Sequence, residues 1–269
     1  MDDERMPRVV REPSRAAPTW RAAGFLLGAA FGPTEQLSMR FGVLSDAHGN
    51  IEAFELALAI LADAKAEVIY FLGDAVGYIP EKGVVSALQA AGIPVVRGNH
   101  DDMLVRQTTA ADREAIYRHR ETYALLSNEE RDFVGSWPSK LTIRDERGTI
   151  LFVHGSPKSP LEGYVYPDSS LSDLAEIDAD VVFMGHTHHP FVRRHADKLF
   201  VNVGSCGLPR GSDLRGSVCV FDPLERAAEI VRFDISGPCR RVLSRYPLAP
   251  PVASLLERCA DFKANEVQS

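Results

Sequence analysis

The chain lacks most of the features that would commit it to an unusual environment or to a common nucleophile. Its four cysteines, Cys206, Cys219, Cys239 and Cys259, are widely spaced and form no C-x-x-C pair. That pattern argues against a disulfide framework or a zinc knuckle and for reduced thiols in a cytoplasmic protein. No apolar run reaches the roughly 18 residues a membrane-spanning helix needs, so no membrane partner is expected. Positive charge is also scarce: 30 Lys and Arg face 37 Asp and Glu, a formal net charge of −7. A long nucleic-acid groove is therefore not expected, although a local cationic site, including one made by metals, stays open. Neither G-x-x-x-x-G-K-[ST] nor G-x-S-x-G occurs, which removes the P-loop and the serine-hydrolase elbow.

What is present is an ordinary globular composition over 269 residues, 45% hydrophobic and 25% charged. Ala22 to Gly32, AAGFLLGAAFG, faintly resembles a signal-peptide core, but Asp2, Asp3 and Glu4 spoil the basic leader such a segment requires. Met39 opens MRFGVLSD as a natural first core strand, so residues 1–38 are expected to be a flexible extension. Strand and helix then alternate: FGVLSD, a helix from Ile51 to Ala64 capped by Asn50, VIYFLGD, a helix from Glu81 to Ala91, and VVRGNHD. Asp101 to Trp137 reads as helical, with a Ser127-x-x-Glu130 capping box. Six strands follow, LTIRD, TILFVHG, DVVFMGH, KLFVNVG, GSVCVFD and AEIVRFD, interrupted by one helix at about Ser169 to Ile177. The expected fold is α/β (α+β), two sheets packed as a β-sandwich and flanked by helices, over residues 39–235. The stretch GPCRRVLSRYPLAPP breaks the pattern, and a tail of residues 236–269 carries a short amphipathic helix with Val252, Leu255, Leu256, Cys259 and Phe262 on one side.

Every strong polar signal sits just after an apolar strand: Asp46-x-His48, Gly73-Asp74, Gly98-Asn99-His100-Asp101, His154-Gly155 and Gly185-His186-x-His188. Loops at the carboxyl ends of neighbouring strands converge, so these residues are expected to share one pocket. In extended backbone, residues two apart face one way, which would pair Asp46 with His48 and His186 with His188 and turn His189 aside. Singly, each signal is weak: a lone D-x-H is usually a turn aspartate beside a surface histidine, and Gly-Asp is commonly a turn into a helix. Five at the same structural station are not readily produced by chance.

FGVLSDAHGN, FLGDAVGYIP, VVRGNHD, LFVHGSP and FMGHTHHP resemble the five signature blocks of the calcineurin-like metallophosphoesterases, and GDAVGYIP, LSNEERDFVGSWP and NVGSCGLPR resemble its small prokaryotic, phosphodiesterase-like branch. The resemblance covers roughly Met39 to Asp234 and implies a sandwich flanked by helices. It also implies a binuclear centre: one metal on Asp46, His48, Asp74 and His188, the second on Asp74, Asn99, His154 and His186, with Asp74 bridging. His100 matches the histidine that faces the substrate phosphate. Mixed nitrogen and oxygen donors suit two divalent transition-metal ions, Mn first, with Fe, Zn, Ni or Co as alternatives.

The implied activity is hydrolysis of phosphodiester or phosphomonoester bonds in small, nucleotide-like phosphorylated substrates by a metal-bridging hydroxide, with His100 as general acid or hydrogen-bond donor. A dinucleoside polyphosphate hydrolase, a serine/threonine protein phosphatase and a non-enzymatic scaffold are the alternatives carried, and a homo-oligomer is left open. Asp101 is read either as a group orienting His100 or as a helix cap. Tyr78 reads as a loop anchor or a stacking surface, and Arg210 as a phosphate clamp or an ordinary surface residue. The cluster Arg113, Arg118, His119 and Arg120 reads as a solvated helix face.

Overall fold

The architecture follows from short apolar strands whose alternate residues serve two different cores. In the computed structural model, which describes residues 39–145 and 148–262, β1 (Phe41–Leu44) pairs in parallel with β2 (Val68–Phe71). Phe41 and Val43 face the interior between the sheets, whereas Leu44 joins the core beneath the helices. The expected extension at residues 1–38 lies outside the described residues, as does the end of the tail.

Between these strands runs α1 (Ile51–Asp63), whose Asn50 cap accepts from the Ala53 amide at 3.3 Å. After β2 come α2 (Gly83–Ala91), α3 (Asn99–Arg106), α4 (Ala111–Tyr117), α5 (His119–Leu125) and α6 (Asn128–Ser136). The Ser127–Glu130 capping box is formed in full: Ser127 Oγ accepts from the Glu130 amide and Glu130 Oε2 accepts from the Ser127 amide.

Seven further strands complete the sandwich: β3 (Lys140–Asp145), β4 (Gly148–Val153), β5 (Val181–Met184), β6 (Phe191–His195), β7 (Lys198–Asn202), β8 (Gly216–Asp222) and β9 (Ala227–Phe233). One sheet has the order β2-β1-β8-β9 and the other β3-β4-β5-β7-β6. In the second sheet β4, β5 and β7 are parallel, so the carboxyl ends of β4 and β5 point together as those of β1 and β2 do in the first. Between the sheets lie Phe41, Tyr70, Phe152, Phe183 and Phe221, with Phe152 stacked on Tyr70 at 4.3 Å and on Phe183 at 5.3 Å.

Four sequence expectations need correction. VVRGNHD, expected to supply a strand end, forms only an isolated bridge of Val95 to Phe71 before the helix begins at Asn99. Phe191–His195 is a strand not expected from its RRH ending; it forms an edge of the second sheet, where Val192 and Arg194 face outward and the mixed polarity leaves no continuous apolar signal. The helix expected at about Ser169 to Ile177 is a single 3-10 turn at Ser172–Leu174. Serine hydroxyls there take backbone amides, Ser169 that of Tyr166 and Ser170 that of Ser172, and so compete with helix formation. The segment GPCRRVLSR does not break the order: it forms α7 (Ser236–Arg245), with Pro238 in the first turn, where no amide is needed. With α8 (Pro250–Asp261) it buries Cys239, Val242, Val252, Leu256 and Cys259 against the helix-side core. All four cysteines are buried and free.

Phe152 is fully buried among three aromatic rings. Replacing it with Ala is expected to cost about 3–5 kcal/mol of unfolding free energy, read from chemical denaturation midpoints; a loss below about 1 kcal/mol would contradict the packing described.

Candidate metal centre

Two pairs of parallel strands, one from each sheet, deliver the candidate ligands to one place. Asp46 and His48 follow β1 and Asp74 follows β2; His154 follows β4, and His186 and His188 follow β5. Asn99 and His100 open α3. Backbone bonds lace the loops: Asp46 N donates to Gly73 O at 3.0 Å, His48 N to Asp74 O at 3.0 Å, and Gly185 N to His154 O at 2.8 Å. The sheets are joined directly where His186 N donates to Asp46 Oδ2 at 3.0 Å.

The structure brings all seven candidates together, though by a different local geometry from the extended one expected. Asp46, His48, Asp74, His186 and His188 have φ of 58°, 49°, 56°, 65° and 61°, in the left-handed region that non-glycine residues seldom occupy. The side chains converge because the backbone coils at each station, held there by the hydrogen bonds between loops. His189 stands outside these groups, with Tyr166 as its aromatic neighbour at 5.7 Å.

Three buried groups have donor atoms mutually within 4.8 Å: Asp46–His48–His188, His48–Asp74–His100 and Asp74–His154–His186. Asp74 therefore sits between the other members. Each carboxylate spends one oxygen on backbone and offers the other. Asp74 Oδ1 accepts from His100 N at 2.9 Å, while Oδ2 lies 3.4 Å from His154 Nε2 and 3.7 Å from His48 Nε2. Asp46 Oδ1 lies 3.1 Å from His188 Nε2 and 3.6 Å from His48 Nε2 without a well-directed hydrogen bond. Asn99 Oδ1 is 3.1 Å from His154 Nε2.

The imidazoles are oriented from behind. Nδ1–H of His48 donates to Val76 O at 3.1 Å, that of His154 to Leu72 O at 2.8 Å, and that of His188 to Leu208 O. Such bonds place the lone pair on Nε2, as in histidines that ligate metals. With that tautomer, His48 Nε2 and His188 Nε2 face each other at 3.1 Å with no proton between them. His154 Nε2 and His186 Nδ1 are equally close, and His186 Nε2 is buried without a partner. Opposed lone pairs beside two buried carboxylates fit cations between them.

The electrostatics agree. Burial would raise Asp46, but the charges of His188 and His154 and the close approach of His188 and His48 outweigh it and hold the carboxyl well below the usual range. Burial likewise opposes Asp74, and His154, His100 and His48 again reverse the sign. Burial would lower His154, yet Asp74 and Asp46 raise it to about 9. At His186 and His188 burial prevails instead and holds both below the usual imidazole range, in the neutral form whose lone pairs can meet a cation.

Asp101 does not touch the His100 ring. It is buried and accepts from four amides, Asp74 N at 2.8 Å, Gly98 N at 2.9 Å, Ala75 N at 3.0 Å and Val76 N at 3.4 Å, locking one loop to the next. The group behind His100 is His119, which the sequence reading assigned to a solvated face. It is buried, and its Nε2 lies 3.0 Å from His100 Nδ1 while its Nδ1 lies 2.6 Å from Thr109 Oγ1. The left-handed turn at Arg118, with φ 54°, between α4 and α5 delivers it, and neither spacing nor polarity announces such a turn. Tyr78 flanks both His48 and His100, at 4.8 Å and 4.7 Å, and its hydroxyl accepts from Arg210 Nη2 at 3.2 Å.

With the site described, comparison with known proteins gives a consistent result. Residues 39–226 match the calcineurin-like phosphoesterase superfamily domain, and the chain belongs to that family, whose members are metal-dependent phosphoesterases. It is 28% identical over 227 residues to protein MJ0912 of Methanocaldococcus jannaschii, covering 76% of this chain and 93% of that protein. It resembles a metallophosphoesterase from Sphaerobacter thermophilus at 27% identity and TM-score 0.65, covering 82% of this chain and 99% of the other. Protein PH1004 of Pyrococcus horikoshii shares the fold, with TM-score 0.69 at 21% identity over 81% of this chain and 97% of its own. Among the described residues, no helix is long and apolar enough to cross a membrane.

Gly98 has no room for a side chain, since a Cβ there would lie 2.1 Å from Asp74 Oδ1. Gly98→Ala is expected to displace Asp74 and weaken divalent-metal binding about 10–100-fold, measured by calorimetric titration of Mn²⁺ into the metal-stripped protein. Unchanged affinity would remove Asp74 from the site.

Proposed function

We propose that the chain hydrolyses phosphodiester bonds, and secondarily phosphomonoester bonds, of small nucleotide-like substrates with two divalent transition-metal ions. The observation that carries this reading is Asp74: a single buried carboxylate oxygen lies between two imidazole groups, each of which has its own further oxygen donor in Asp46 or Asn99. Asp46, His48, Asp74 and His188 would hold one ion, and Asp74, Asn99, His154 and His186 the other. Nitrogen and oxygen donors together favour Mn, with Fe, Zn, Ni or Co as alternatives. Bound there, the ions supply an activated water and neutralise phosphate charge.

The protein's own residues supply orientation and a hydrogen bond to the leaving oxygen. His100 faces the centre, and a Cβ on Gly77 would lie 2.5 Å from its Nδ1, so the absence of a side chain there lets the ring sit where it does. With the Thr109 hydroxyl donating to His119 Nδ1, His119 Nε2–H donates to His100 Nδ1. His100 then keeps its proton on Nε2, where it can donate a hydrogen bond to the charge growing on a departing oxygen, the proton that this oxygen finally takes coming from solvent. His119 is a positioning residue: it fixes the tautomer and never meets the substrate.

Chelation should abolish turnover of a chromogenic phosphodiester, and Mn²⁺ should restore it with two ions bound per chain, counted by elemental analysis. Full turnover in the metal-free protein would refute the proposal. His119→Ala should lower kcat more for alkyl than for nitrophenyl leaving groups, by about tenfold in relative rate, because the poor leaving group carries more charge and depends more on the hydrogen bond from His100. An equal loss for both would reduce His119 to a packing role.

A further inference from the structure

The mouth of the centre carries a feature that metal binding does not explain. Tyr164 and Tyr166 are 60% and 40% exposed, among the few large apolar side chains left open to solvent in the described residues. They lie next to the reaction centre. The Tyr164 ring is 4.2 Å from that of His186, a candidate ligand, and is stacked on Tyr166 at 6.0 Å with only 8° between the planes.

The backbone that carries the pair is tied down on both sides. Val165 between them is buried, so alternation along the extended segment turns both tyrosines to the same face. The loop leading to them is closed by Gly155 N donating to Pro160 O at 2.6 Å and by Gly163 N donating to Ser159 O at 2.9 Å. Beyond them, Tyr166 N donates to Ser169 Oγ at 2.9 Å. A rigid, solvent-facing aromatic plane loses little entropy when another ring stacks on it.

On the side of His48 and His100, which Tyr78 flanks, Arg210 is exposed and makes no ion pair among the described residues; its one hydrogen bond there goes to Tyr78. The Arg210 charge is felt at both Tyr164 and Tyr78, so it lies within electrostatic reach of either wall. The candidate centre thus has an aromatic shelf on the His186 side and an uncommitted guanidinium near the other.

On the reading of the centre as a phosphodiesterase, we infer that Tyr164 and Tyr166 form a nucleobase platform and that Arg210 binds the anionic backbone of the same substrate. The substrate class is then a phosphodiester carrying a nucleobase, in preference to a simple alkyl phosphate or a phosphorylated protein side chain. Stacking accepts any base, since every base has a π-face, so purine and pyrimidine nucleotides should both be taken.

The test uses two esters with one leaving group: thymidine 5′-(p-nitrophenyl phosphate) and methyl p-nitrophenyl phosphate. The ratio of their kcat/KM values isolates the base, because any disturbance of His186 enters both. The native protein should favour the nucleoside ester by about tenfold or more. Tyr164→Ala should bring the ratio close to one, and Tyr164→Phe should restore it. Arg210→Ala should raise KM for the nucleoside ester and shrink its salt dependence. A native ratio near one, or a ratio that Tyr164→Ala leaves intact, would overturn the platform.

Calorimetric binding of thymidine 5′-monophosphate against methyl phosphate to the Mn²⁺-loaded protein separates the two levels of the proposal. Base-dependent binding lost in Tyr164→Ala, without turnover of either ester, would leave the platform standing and remove the phosphodiesterase reading. Turnover of both esters with no base-dependent binding would do the reverse.

Discussion

Two carboxylates buried without enough protons to satisfy them set the terms for the rest of this structure. Asp46 and Asp74 are fully or almost fully enclosed, and each spends one oxygen on a backbone amide from another segment. The remaining oxygens face imidazole nitrogens whose own protons point outward to Val76, Leu72 and Leu208 carbonyls. Unpaired charge in such a place is costly, and the cost is met by cationic histidine or by metal. The fold is arranged so that metal fits better: the imidazole lone pairs are turned toward one another, not toward protons.

That arrangement explains features that otherwise look unrelated. Left-handed φ values at five candidate ligands store local strain that isolated loops would relax. Here each loop is held by its neighbour, and Asp101 accepts four hydrogen bonds from amides, three of which bind the Gly98 turn to the Asp74 turn. The stacked Phe152, Tyr70 and Phe183 rings lie between the sheets that bear these loops, so core packing sets how far apart the loop groups stand. Beyond the candidate ligands, His100 beside His119, the stacked Tyr164 and Tyr166, and the Arg210 guanidinium bonded to Tyr78 lie near the centre.

Much of the fold was legible from the chain because its cues are local. The capping box at Ser127, the Asn50 cap and most of the short apolar strands act over a few residues, and those elements formed where the cues place them, the VVRGNHD strand end excepted. The failures share a cause. Phe191–His195 is a strand because a neighbour supplies its hydrogen bonds, and Ser236–Arg245 is a helix because its apolar side finds α8 and the helix-side core. The strand's partner follows after two residues and α8 after four, so what local patterns hide here is the pairing and not a distance along the chain.

The same division runs through the site. Strand-end placement of Asp46, His48, Asp74, His154, His186 and His188 followed from sequence alone, since a parallel strand's carboxyl end fixes where its loop begins; Asn99 instead opens a helix. How those side chains converge did not follow, because left-handed coiling is selected by bonds between loops far apart in the chain. His119 and Tyr164 show the limit most clearly. One looked like a solvated helix residue and the other carried no signal, and only the packing of distant segments set the first behind His100 and the second against His186. Sequence determined which chemical groups were available and at which strand ends; tertiary structure decided which of them touch, because contact depends on long-range packing that no local pattern encodes.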